Sequence, residues 1–316
     1  MSKHFLSRRQ FNAICSTAGM SLSIGTIDAL SGVSLGADAP PRTVKLRKAA
    51  VVPAVGQGSW HLGQGRHPAA LEEDALRTGI SLGMTLIDTS GNYGEGRSEE
   101  LIGRVLAGRR DRVFLVSKIE TNEAPGDSME RACEASLHRL GTDYLDLYLL
   151  HWPVPNSQFS AVVAGFEKLR AARKIRAWGV SNFNTSQMEA LFRVPDGNRC
   201  TTNQIPYSLN NRSVEHDLLP WCEQHDMPVM AYSPLGGDNK LVIHDQMLMQ
   251  MGAAYGCSAA AIALSWVIRS GNVIAIPESG IPAHVRENAV ALSLSLAPEE
   301  LQTLNAAYPG SSSSEN

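Results

Sequence analysis

Eight times in succession, from about Thr43 onward, a short apolar run is followed by a stretch with helical periodicity. The runs fall at 54–58, 85–88, 113–118, 145–151, 177–180, 201–204, 229–232 and 273–276. Helical patterns occupy 68–82, 99–106, 128–140, 161–172, 187–192, 214–225 and 259–270, with a last helix at about 297–306. Parallel strands need a crossover of a dozen or more residues, and a helix is the usual one, so this order predicts a parallel sheet. Eight is the number at which such a sheet closes into a (β/α)8 barrel, an architecture of about 250 residues. The chain's 316 residues accommodate one barrel and short appendages. Residues 43–52, polar at Arg47 and Lys48, read as an N-terminal β-hairpin ahead of the first barrel strand. A doubly wound sheet is the alternative, but Gly56-Gln57-Gly58 runs into Trp60 rather than opening a helix, so the dinucleotide fingerprint of that fold is missing.

Residues 1–39 belong to a different pattern. Lys3, Arg8 and Arg9 make a basic start, a small and apolar stretch follows at 13–35, and Ala37-Asp38-Ala39 has the small-x-small form that signal peptidases read. Ser7-Arg8-Arg9-Gln10-Phe11 resembles a twin-arginine export motif. The segment is too polar and too broken for a membrane span, with Asp28 inside the apolar part, and Pro40 disfavours a cut directly after Ala39. The expected organisation is a signal at 1–39, a barrel at 40–308 and a disordered Ser-rich tail at 309–316. The expected destination is the periplasm by way of the twin-arginine machinery, with the cytoplasm as the alternative.

A net charge of -3 gives no basic footprint for nucleic acid or an anionic membrane. The five cysteines show no paired spacing, so neither a disulfide framework nor a metal site is expected. No heptad or extended apolar stretch suggests obligate assembly, and a monomer is the default.

In a barrel of this kind the strand C-termini carry the chemistry. Reading each run to its end gives Asp88, Lys118, His151, Asn182, Gln204 and Tyr232, and Tyr93 sits in the loop just beyond Asp88. Any one of these has an ordinary structural explanation, but all converge on one rim. Such a set suits proton-coupled hydride transfer to a carbonyl. A tyrosine can protonate the developing alkoxide, a neighbouring lysine favours its phenolate form, and a carboxylate keeps the lysine charged. A histidine can orient the carbonyl oxygen. A Schiff-base role for Lys118 fits poorly, because Asp88 beside it keeps the amine protonated. A nucleotide-binding regulatory module with little turnover is the competing class, and the intact tetrad speaks against it.

These segments resemble the aldo-keto reductases from about Thr43 to Ala307. The stretch Leu86-Ile87-Asp88-Thr89-Ser90-Gly91-Asn92-Tyr93-Gly94 is similar to the family's first signature, and Val116-Ser117-Lys118 and Leu150-His151-Trp152-Pro153 are similar to its lysine and histidine motifs. Gly179-Val180-Ser181-Asn182-Phe183, Asn203-Gln204 and Ala231-Tyr232-Ser233-Pro234-Leu235-Gly236 resemble its nicotinamide-holding segments. The resemblance implies Tyr93 as general acid, tuned by Lys118 and Asp88, with His151 orienting the substrate. It implies Ser181, Asn182 and Gln204 on the carboxamide, Tyr232 stacked on the nicotinamide ring, and Ser233, Leu235, Ser279, Glu287 and Asn288 on the rest of the cofactor. Trp60 and Trp152 would wall the substrate pocket. Within the family the likeness is greatest to bacterial reductases of methylglyoxal and similar small aldehydes. NADP(H) is the family cofactor, but the lysine expected after Ile276-Pro277 is Glu278, and His284 stands at an arginine position. That exchange implies a weakened grip on the 2′-phosphate, with NAD(H) as an alternative cofactor. The chain also ends soon after its last helix, which implies an open pocket and small carbonyl substrates.

Overall fold

A computed structural model of the chain describes residues 40–124, 126–237 and 242–310. The export segment read at 1–39 and residues 311–316 of the expected tail lie outside the described residues. Strands β1 (Thr43–Lys45) and β2 (Val51–Pro53) pair antiparallel, with Val44 opposite Val52. The turn between them passes through Lys48 in the left-handed region, at φ 54°. This is the expected hairpin, and it leads straight into the N-terminal end of the first barrel strand. It therefore sits at the end of the barrel opposite the strand C-termini.

The barrel strands are β3 (Gln57–Gly58), β4 (Leu86–Asp88), β5 (Phe114–Ile119), β6 (Leu145–Leu150), β7 (Ile175–Ser181), β8 (Asn203–Pro206), β9 (Val229–Tyr232) and β10 (Val273–Ala275). Each pairs in parallel with its sequence neighbour, from β3 through to β10. Bridges between Val55 and Ala275, and between Gly58 and Glu278, join the last strand to the first. The Gly56 amide donates to the Ala275 carbonyl at 2.8 Å, and the Ala275 amide to the Ala54 carbonyl at 2.9 Å. The sheet therefore closes, as expected. Every residue of β4 and β6 is buried, the pattern of strands covered on both faces.

Helices α1 (Ala69–Ser81), α2 (Arg97–Leu106), α3 (Asp127–Leu140), α4 (Phe159–Ala171), α5 (Thr185–Arg193) and α6 (Leu218–Gln224) form the outer ring together with α7 (Gln246–Tyr255), α8 (Ala259–Val267), α9 (Pro282–Ala289) and α10 (Pro298–Ala307). The sequence pattern gave one helix between β9 and β10, whereas the chain makes two, α7 and α8. It also passed over α9, which opens on a proline and buries only Val285 and Asn288. The helix expected at 214–225 is shorter, because Asp217 starts α6 by accepting a hydrogen bond from the Leu218 amide at 2.6 Å.

One glycine lets the ring close on the first strand. A β-carbon on Gly79 of α1 would lie 2.1 Å from Gln57 Oε1. Gln57 is buried there and donates to the Leu76 and Met84 carbonyls at 3.3 and 2.9 Å, tying α1 to β3.

Candidate active site

The strand C-termini bring the predicted polar residues to one rim. Asp88 ends β4, Lys118 lies in β5, and His151 follows β6 directly. Ser181 ends β7 with Asn182 next, Gln204 lies in β8 and Tyr232 ends β9. Tyr93 is set by a single 3-10 turn, Tyr93–Gly96, in which Gly94, Glu95 and Gly96 all have left-handed backbones at φ 58°, 60° and 92°. A side chain at either glycine would also have to displace a neighbouring one. A β-carbon at Gly94 would meet Gln64 Cγ at 2.6 Å, and one at Gly96 would meet Arg139 Cδ at 2.5 Å. The turn favours glycine at both positions, and it aims the phenol back over the rim.

At the floor, Lys118 Nζ donates to Asp88 Oδ2 at 2.6 Å, to the Thr89 carbonyl at 2.8 Å and to Tyr93 Oη at 3.1 Å. An ammonium has three hydrogens, and all three are used. Asp88 is likewise satisfied, since its Oδ1 accepts from Gln204 Nε2 at 2.7 Å. The Lys118 side chain is 0% exposed and that of Asp88 4%, so the pair is stable only because each charge is matched. Burial alone would push the Lys118 ammonium down, but Asp88 and then Tyr93 outweigh it, and the net direction is up. Tyr93 moves up as well. Burial raises its hydroxyl more than the lysine ammonium lowers it, and Asp88 and Glu278 add to the rise. The lysine does pull this phenol down, as expected from the sequence, but the desolvation of a ring packed into the rim outweighs it.

Tyr232 Oη donates to Asn182 Oδ1 at 2.9 Å, and Asn182 Nδ2 donates to the His151 carbonyl and to Ser181 Oγ, each at 3.1 Å. Asn182 and Ser233 both sit at positive φ, 64° and 47°. Strained backbone of this kind gathers at functional sites. These residues line a cavity of about 620 Å³ whose outer part is walled by Trp60 and Trp152, 54% and 50% exposed. Ser233, Leu235 and Glu278 line it too. Ser279, His284, Glu287 and Asn288 do not reach this cavity; they lie on α9 or in the turn before it.

Two contacts were not anticipated. Glu278 accepts from the His61 amide at 2.9 Å and faces the His61 ring at 3.0 Å, across the seam where the barrel closes. Glu120 is hydrogen-bonded to His151 Nδ1. Strand alternation places Glu120 on the same face as Lys118, so that contact had a sequence signal. The first links residues far apart in the chain and had none.

A closed parallel barrel with a buried carboxylate–ammonium–phenol chain at its C-terminal rim, under an open pocket, defines a barrel enzyme equipped to move a proton onto an oxygen. Comparison with known proteins makes the class specific. The model of the Aldo/keto reductase family matches residues 54–309, and the chain belongs to that family. Methylglyoxal reductase YeaE of Escherichia coli (strain K12) is 48% identical over 261 residues, 82% of this chain and 92% of that protein. An aldo/keto reductase from Klebsiella pneumoniae, solved in complex with NADP and acetate, is 45% identical with a TM-score of 0.83, covering 88% of this chain and 98% of its own. The thermostable aldo-keto reductase Tm1743, solved with the inhibitor epalrestat, is 33% identical with a TM-score of 0.75, covering 84% and 98%.

Proposed function

We propose that the enzyme reduces small aldehydes and ketones, methylglyoxal among them, to alcohols, with Tyr93 delivering the proton and a nicotinamide dinucleotide as hydride donor. The Asp88–Lys118–Tyr93 chain at the floor of an open cavity carries this reading. The cavity fits the cofactor's head group: Ser181, Asn182 and Gln204 offer the hydroxyl and amides that suit a carboxamide, and Tyr232 offers a ring face beside them. When bound, the dihydronicotinamide supplies the hydride. The protein's part is to hold the carbonyl between Trp60 and Trp152, to present the Tyr93 hydroxyl to its oxygen, and to keep the Lys118 charge close to the forming phenolate. The E. coli relative's name and the NADP complex of the Klebsiella relative support the substrate class and the cofactor class.

Glu278 bears on the choice between NADPH and NADH. A carboxylate opposed to a 2′-phosphate costs on the order of several kcal/mol, whereas it can accept a hydrogen bond from a free ribose hydroxyl. The enzyme should therefore use both cofactors, with a kcat/KM ratio for NADPH over NADH below roughly a hundredfold, about 2.8 kcal/mol. Glu278→Lys should raise that ratio at least about tenfold, or 1.4 kcal/mol. Steady-state rates with methylglyoxal and each cofactor measure both; a larger wild-type preference, unmoved by the substitution, would refute the role given to Glu278.

Residues 1–39 complete the proposal. The twin-arginine route carries folded proteins, so the enzyme would leave the cytoplasm with its dinucleotide bound and recycle it between two substrates. Cell fractionation should find the full-length product in the periplasm, and a double Arg8→Lys/Arg9→Lys variant should stay in the cytoplasm. Denaturing the periplasmic protein should release nucleotide, and exported protein free of nucleotide would end the recycling idea.

A further inference from the structure

Glu120 follows β5 directly with an extended backbone, at φ -75° and ψ 152°. Its carboxylate is bonded to His151 Nδ1, and Ser90 Oγ lies 3.5 Å from the same nitrogen. An ionised carboxylate only accepts hydrogen bonds, so Nδ1 carries the hydrogen. Nε2 is then the nitrogen left for the cavity that His151 lines. A neutral ring in this tautomer offers only a lone pair there, which would repel an oxygen gaining negative charge. An imidazolium donates from both nitrogens, one to Glu120 and one to the substrate.

We propose that Glu120 is a positioning residue that holds His151 as a doubly protonated donor, so that the ring meets the substrate oxygen as a cation. The surroundings agree. Tyr93 meets the ring edge-on at 5.9 Å between centroids, and Trp152 stacks over it at 6.1 Å. The Lys118 charge beyond Tyr93 is matched by Asp88, so Glu120 is the carboxylate in contact with the ring. Its outer side lines a separate polar cavity of about 230 Å³, together with Lys118 and Arg139. A quarter of its side chain is exposed, and its inner oxygen faces the histidine.

The inference rests on the reductase reading, but its first test does not use turnover. Full-length protein labelled with 15N-histidine, with His151 assigned by the loss of its signals in His151→Gln, reports the protonation of each ring nitrogen. Both nitrogens should be protonated in the wild type at neutral pH. Glu120→Ala should return the ring to a neutral form, and Glu120→Asp should retain the charge. A neutral ring in the wild type, or the same state in wild type and Glu120→Ala, overturns the proposal. In a second arm, removing a direct donor to an oxyanion costs about 10²–10³ in kcat, so losing its positioning partner should cost about tenfold to a hundredfold. KM should change little, Glu120→Asp should recover part of the loss, and the alkaline fall in kcat should begin at lower pH in Glu120→Ala. A loss confined to KM would make Glu120 part of the pocket wall and also overturn the proposal. If the nitrogens behave as expected while even the wild type turns over no carbonyl, the charged dyad stands and the proposed reaction fails.

Discussion

Replacing Tyr93 by Phe should lower kcat for carbonyl reduction by about 10²–10⁴, the usual contribution of a positioned acid, while KM and dinucleotide affinity change little. The hydroxyl is the only group removed, and it acts on charge that exists only in the transition state, so the loss belongs in kcat. The ring itself remains, together with its edge-on contact with His151 and the ammonium 4.7 Å from its centroid, so the pocket should keep its shape. The direction of the phenol's shift adds detail. Burial leaves Tyr93 above its ordinary value, so in the cofactor-free enzyme the proton stays on through the neutral range and is available as the alkoxide forms. Stopped-flow loss of reduced-nicotinamide absorbance under single-turnover conditions isolates this step from product release. A Tyr93→Phe variant that keeps wild-type single-turnover rates would remove Tyr93 as the acid and shift attention to His151, the other donor at the rim.

The order of the eight strands was legible because they are covered on both faces and read as apolar runs, punctuated by polar loops. What escaped was α9, where a starting proline and a polar sequence hide the helix, and α7, whose buried Leu248, Met251, Gly252 and Tyr255 do show helical spacing but exceed one helix per strand. At the site, Asp88, Lys118 and His151 stood out because polar groups at the ends of apolar runs are costly unless used. Glu120 had the same signal by strand parity and was passed over because it falls two residues past the run. The His61–Glu278 contact depends on the closure of β10 against β3, a long-range event with no local trace. The upward shift of Tyr93 depends on how many neighbours desolvate the ring, a property of the packed rim alone. Local pattern therefore located the reacting groups, while their electrostatic settings came from tertiary contacts.

Lys118→Met should do two separable kinds of damage. It removes the charge beside Tyr93, so turnover should fall at least as far as expected for the tyrosine variant. It also strands Asp88, 4% exposed, with only the Gln204 amide opposite its carboxylate. Breaking one side of a buried pair costs about 3–5 kcal/mol, on the order of 10 °C in Tm for a domain of this size. Adding Asp88→Asn removes the stranded charge and should restore most of that stability with no activity returning, because no ammonium faces the phenol. The coupling in such a cycle reports the pair directly, provided neither single change opens a new contact. Its pH dependence has a definite sign. The folded value of Lys118 is raised, so the ion pair's contribution is complete below the unfolded lysine value of about 10.4 and is lost as pH climbs through the folded value. Between neutrality and pH 9 the gap in stability between wild type and Lys118→Met should therefore stay constant, and it should shrink only in strong alkali. Thermal unfolding of the wild type, both single variants and the double variant at several pH values measures all of this. A double variant no more stable than Lys118→Met would mean that the methionine's packing, not the unpaired carboxylate, sets the cost.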